Sequence, residues 1–176
     1  MYIGKAIGEV INGTINPSGR LPISFAYHVG QVPVYYNQLP GWHGGKYCDL
    51  PQQPLYTFGE GIGYSAFKYE NLSFDVSSFS VSVDVTNTGE REGTETVQVY
   101  FNDVVSSVMA PIKTLIAFDR VSLSPGEKKN ISIVLNREDF SLVDSKGNRV
   151  VEPGDFILYV GHSSKDEDLL SLPFRL

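Results

Sequence analysis

The stretch SFSVSVDVT, Ser78 to Thr86, sets Phe79, Val81, Val83 and Val85 at every second position and Ser80, Ser82 and Asp84 between them. A period of two sends all the apolar side chains to one face of an extended chain, so the stretch reads as a half-buried β-strand. The same period returns in Thr96–Phe101 (TVQVYF) through Val97, Val99 and Phe101, and in NISIVL through Ile131, Ile133 and Leu135. Phe156–Val160 (FILYV) is apolar almost throughout and reads as a more central strand. Between these runs stand Asn87-Thr88-Gly89, Ser124-Pro125-Gly126, Lys146-Gly147-Asn148 and Glu152-Pro153-Gly154, residues that supply the backbone angles of tight reversals. About seven strands, beginning near Phe67, predict an antiparallel immunoglobulin-like β-sandwich over 67–176.

Upstream of Phe67 the pattern breaks down. Gly4–Ile11 (GKAIGEVI) fits two turns of helix with Ile3, Ile7, Val10 and Ile11 on one side. Asn16-Pro17-Ser18-Gly19 is a turn, and Arg20–Phe25 (RLPISF) reads as a short strand whose Pro22 puts it at an edge. One helix and one strand cannot bury each other, so residues 1–30 read as the remnant of a larger α/β unit. Residues 31–66 are rich in Gly, Pro and Tyr and read as a linker that lies on other surfaces through its aromatic rings.

Composition bounds the function. The 176 residues are 41% hydrophobic and 19% charged, enough apolar material for a core. A formal net charge of −6 argues against nucleic acid as a partner. No apolar run approaches the ~20 residues of a membrane span. The first residues lack the basic-then-apolar pattern of a secretion signal, and Cys48 is the single cysteine, so the expected setting is cytoplasmic. With three histidines and one cysteine, a structural metal site is not expected. Gly59-Glu60-Gly61-Ile62-Gly63 lacks the Lys and Ser/Thr of a phosphate loop and reads as linker flexibility.

Taken in order, these motifs resemble the C-terminal portion of glycoside hydrolase family 3, the β-glucosidase and β-xylosidase family. Asn16–Pro22 (NPSGRLP) resembles a motif near the end of that family's α/β-sandwich domain, and Pro54–Tyr64 (PLYTFGEGIGY) resembles its linker. Val85–Gly89, Gly93–Tyr100, Pro111–Leu115, Phe118–Val121, Leu123–Glu127, Glu152–Phe156 and Val160–Ser164 follow its fibronectin type III-like domain. Glu60 stands where the family usually has an aromatic residue and Gly63 where it usually has Ser. The resemblance implies no metal or organic cofactor. It implies that the parent enzyme hydrolyses terminal β-linked sugars with two carboxylates, the nucleophilic Asp on a (β/α)8 barrel and the acid/base Glu in the α/β sandwich, both ahead of Met1.

No residue of this chain aligns with either carboxylate, so no catalytic residue is assigned and the chain alone is expected to be inactive. Asp49, Glu60, Asp75, Glu95, Asp119, Asp144 and Glu152 are expected to be solvated or to cap turns. Trp42 and His43, among glycines in the linker, are the candidate substrate-binding residues. Packing against a neighbouring domain is the first expectation for Trp42, and stacking on a sugar ring is the second. The expected partners are the catalytic domains of the parent and, through the apolar surface left without them, a second copy of the chain. A carbohydrate is then met only through the intact enzyme. A stand-alone carbohydrate- or protein-binding sandwich is the alternative.

Overall fold

The computed structural model describes residues 2–41 and 48–176. The chain opens with a helix, α1 (Ile3–Ile11), and the described residues between it and the first strand are irregular apart from a 3-10 turn at Val29–Gln31. The strands are β1 (Phe67–Asp75), β2 (Ser80–Asn87), β3 (Gly93–Asp103), β4 (Thr114–Leu123), β5 (Lys128–Val134), β6 (Leu142–Val143), β7 (Arg149–Val150), β8 (Asp155–Gly161) and β9 (Leu169–Arg175). Two antiparallel sheets form the sandwich, one in the order β1-β2-β5 and the other in the order β4-β3-β8-β9, and β6 and β7 make a small separate hairpin.

Alternation dictates the packing. Val81, Val83 and Val85 of β2 face Val97, Val99 and Phe101 of β3 and Leu158 and Val160 of β8 across the core. At one end Phe140 sits among Phe74, Phe79, Phe101, Phe156 and Phe174, with ring centroids 5.4–6.2 Å away. It arrives there on a 3-10 turn, Arg137–Phe140, whose Asp139 carboxylate accepts the Asn136 N–H at 2.8 Å. The other phase of β2 is polar and points outward. Asp84 accepts from Asn71 of β1 and Asn130 of β5, both at 2.8 Å, and pairs with Lys128 at 2.9 Å. These donors hold the Asp84 carboxyl well below the usual carboxylate range.

Three strands are irregular in ways that periodicity does not announce. β1 carries a bulge between Glu70 and Ser73, with Asn71 in the left-handed region at φ 55°. β4 slips register between Val99 and Tyr100 of its partner β3. β9 contains Pro173, which an edge strand tolerates because it need not donate on its outer side. The Asn87-Thr88-Gly89 turn is tied by the buried Asn87, whose amide donates to Leu123 O and Arg91 O while its Oδ1 accepts the Gly89 N–H.

Arg20–Phe25 does not form the expected strand. Phe25 makes a single bridge to Tyr56, and Leu21 exchanges backbone hydrogen bonds with Gly59 and Glu60. The two segments run side by side and are joined only at their ends. Pro22 has no N–H to offer between them.

Candidate functional site

β3 is buried on both faces, although an outer strand face of a sandwich is ordinarily solvated. Val97, Val99 and Phe101 fill the core. Gln98 and Tyr100, on the opposite phase, are covered by the irregular segment that precedes the sandwich. Tyr36 stacks on Phe58 at 4.2 Å and meets the Tyr100 ring edge-on at 5.9 Å. Tyr100 donates its hydroxyl to Gln98 Oε1 at 2.5 Å, and the Gln98 amide donates to Gly59 O at 3.1 Å and His162 O at 2.6 Å. Burial pushes the Tyr100 hydroxyl far above its ordinary pKa. Gly59 holds φ +80°, and a Cβ there would strike the Gln98 side chain, so only glycine fits this approach.

A second set of ties binds the Asn16–Arg20 turn to the sandwich. Asn16 Nδ2 donates to Ser65 Oγ and Glu92 O, both at 2.8 Å, and its Oδ1 accepts the Tyr64 N–H. Arg91 donates to Gly13 O at 2.6 Å and Arg120 to Ser18 Oγ at 2.7 Å. Arg20 reaches Glu95 at the start of β3, Nη2 to Oε1 2.9 Å, with the two side chains 13% and 2% exposed. Beside them the Tyr69 hydroxyl and Arg20 Nε are buried without a hydrogen-bond partner among the described residues. Burial, reinforced by the Glu95 charge, holds the Tyr69 hydroxyl well above its ordinary pKa. The two departures from the resembled pattern both lie in this seam. Glu60 Oε2 accepts the Thr57 N–H at 2.8 Å, and a Cβ at Gly63 would crowd Pro17 O and Asn16 Oδ1 at 2.9 and 3.1 Å.

The expectation that Glu95 is solvated or caps a turn is wrong. The signal was legible: Glu95 shares the phase of Val97, Val99 and Phe101, so a charge stands on the core face of β3 and needs a buried partner. Asp75 and Asp144 do cap turns, accepting from Ser77 and Ser78 and from Lys146 and Asn148. Trp42 and His43 lie outside the described residues.

The far side of the leading segment is bare. α1 has an apolar stripe yet buries none of its residues, and Ile3, Ile7 and Ile11 are 76%, 53% and 72% exposed. Ile23, Phe25, Leu55, Tyr56 and Ile62 are exposed as well. Gly4 and Gly8 weaken the nine-residue helix, and no side chain caps its start. It is held at its C-terminal end, where Tyr64 donates its hydroxyl to Val10 O at 2.7 Å. The arrangement is a segment fastened to a sandwich on one side and offering apolar surface on the other.

Comparison with known proteins gives this arrangement its class. Residues 2–64 match the glycosyl hydrolase family 3 C-terminal domain, and residues 95–164 match the fibronectin type III-like domain. The chain is 42% identical to a β-xylosidase of Formosa agariphila over 96% of its own length and 25% of the relative's. It is 37% identical to a periplasmic β-glucosidase of Salmonella typhimurium over 92% of its length and 23% of the relative's. Among solved structures, a β-glucosidase of intestinal bacteria involved in saponin metabolism superposes with a TM-score of 0.92 at 44% identity, covering all of this chain and 25% of that one. The chain belongs to glycosyl hydrolase family 3, of which it is a C-terminal part. It spans about a quarter of the length of the relatives it matches.

Proposed function

We propose that the chain is the structural accessory part of a family 3 glycoside hydrolase, and that the intact enzyme releases terminal β-linked sugars. The carrying observation is α1: an amphipathic helix with weak intrinsic propensity and no buried residue forms stably only against a surface that covers its apolar stripe. In this reading the covering surface lies in the part of the enzyme that this chain does not span, the relatives being about four times as long. The sandwich then works as a rigid clamp. It grips the Asn16–Arg20 turn and the Tyr36–Phe58 stack, and so fixes the edge of the domain to which α1 belongs.

Two carboxylates flanking the scissile bond are needed for glycoside hydrolysis, and this reading assigns them to the remainder of the enzyme. The purified chain is therefore expected to give no turnover of aryl β-glucosides or aryl β-xylosides. Turnover by homogeneous protein would overturn the assignment. Trp42 and His43 are proposed to reach the sugar in the intact enzyme. Unchanged sugar affinity in a Trp42→Ala intact enzyme would contradict that role.

A further inference from the structure

A recess of about 290 Å³ opens between the irregular segment and one end of the sandwich. Tyr27 and Tyr35, 46% and 56% exposed, line one side, together with Gln53. Lys113, Lys165, Asp166 and Glu167 line the other. The volume lies at the small end of ligand sites.

Both walls are fixed without a ligand. The buried Gln31 accepts the Tyr27 N–H on its Oε1 at 2.8 Å and donates its amide to Pro51 O and Gln53 O, both at 3.0 Å, so one side chain pins the two strands of the near wall together. Gln52 donates to Gln38 Oε1 at 3.1 Å. In the far wall Lys113 is buried beneath the surface, its Nζ 2.8 Å from Ser164 O and 2.5 Å from Asp166 Oδ1, with the Tyr159 ring 5.3 Å below.

The chemistry of the lining selects the ligand. Both lysines of the described lining are already paired, Lys113 with Asp166 and Lys165 with Glu167 at 3.6 Å, so neither is left free for a phosphate or carboxylate. An apolar ligand would bury amides and ion pairs against hydrocarbon, which is costly. What remains is a molecule with one flat apolar C–H face and an edge of hydroxyls. Tyrosine rings take the face, while amides and carboxylates take the hydroxyls.

We infer that this recess is a binding site for a neutral carbohydrate, one or two pyranose units, with Tyr27 and Tyr35 as stacking platforms and Gln53 and Asp166 as hydrogen-bonding groups. The inference is independent of where the catalytic groups of the intact enzyme lie. It is tested by titrating the 176-residue chain with xylobiose and with cellobiose, followed by amide chemical shifts. Saturable shifts are expected at residues 27–38, 51–57 and 164–167. Tyr27→Ala and Tyr35→Ala should each weaken binding about fivefold, the value of losing one aromatic contact, while Tyr35→Phe, which keeps the ring, should bind as the parent chain does. No saturable shift with either disaccharide at millimolar concentration would overturn the inference. So would affinity unchanged by both alanine variants, or lost equally in Tyr35→Phe.

Discussion

The Arg20 guanidinium and the Glu95 carboxylate meet at 2.9 Å across 75 residues of sequence and tie the leading segment to the sandwich. Glu95 is the charge on the core face of β3, and Arg20 is the charge that lets it stay there. Neither has an alternative partner of opposite sign among the ion pairs of the described residues. Removing one member leaves the other buried without its partner. Arg20→Ala is therefore expected to lower unfolding free energy by about 3–5 kcal/mol, the usual cost of breaking a buried pair. Replacing both together, Arg20→Met with Glu95→Leu, should cost much less than the single change. Urea denaturation of the three proteins measures the difference; equal losses in single and double variants would show that the pair is not the unit that matters.

Gly59 tests the seam at its other end. Its left-handed backbone and its contact with Gln98 leave no space for a methyl group. Gly59→Ala is expected to destabilise by about 1–3 kcal/mol and to speed hydrogen exchange at the Leu21 and Gly59 amides, which bond across the joined segments. Exchange at β2 and β5 amides should change only by the global loss. Uniform exchange across the chain would mean that the seam and the sandwich open together.

Acid should weaken the three-stranded sheet before neutral pH matters at all. Asp84 is held low by Asn130, Asn71 and Lys128, and Asp75 is held down at about 2 by Ser77 and Ser78. A depressed carboxyl contributes stability above its unfolded pKa, about 3.9 for Asp, and loses it as pH falls through the folded value. The stability contributed by these two carboxyls is therefore fully present at neutral pH and is lost progressively below about pH 5. Asp84→Asn should lower stability at pH 7 and flatten the acid decline. An acid limb unchanged in slope would remove Asp84 from this account.

α1 should be silent in the chain by itself. Ile7 is half exposed and touches no core residue of the sandwich, so Ile7→Asp is expected to shift unfolding free energy by no more than about 0.5 kcal/mol. A large loss would mean that the helix is folded against this chain rather than awaiting another surface.

The sandwich was legible because it is built on a sustained period of two, and Val81, Val83 and Val85 alone determine which face of β2 is buried. β4 and β9 were hidden for physical reasons. Charges at Asp119 and Arg120 interrupt the apolar phase of β4, and Pro173 interrupts β9. The RLPISF segment imitates a strand, but Pro22 and the turn of the opposing chain toward Tyr36 leave it one bridge. The seam is the harder lesson. Gln98 and Tyr100 sit on what should be the wet phase of β3, and only the tertiary fold shows the linker lying over them. Glu95 was readable in principle, as a charge out of phase.

The central claim is that the apolar face of α1 docks the rest of a family 3 enzyme while the sandwich holds it in place. The most direct measurement replaces the corresponding C-terminal quarter of the Formosa agariphila β-xylosidase, 42% identical to this chain, with this chain and follows hydrolysis of an aryl β-xyloside. The account predicts an active chimera, and loss of that activity in the chimera carrying Ile3→Asp and Ile7→Asp, although those changes leave the isolated chain folded. Full activity in the doubly substituted chimera would contradict it.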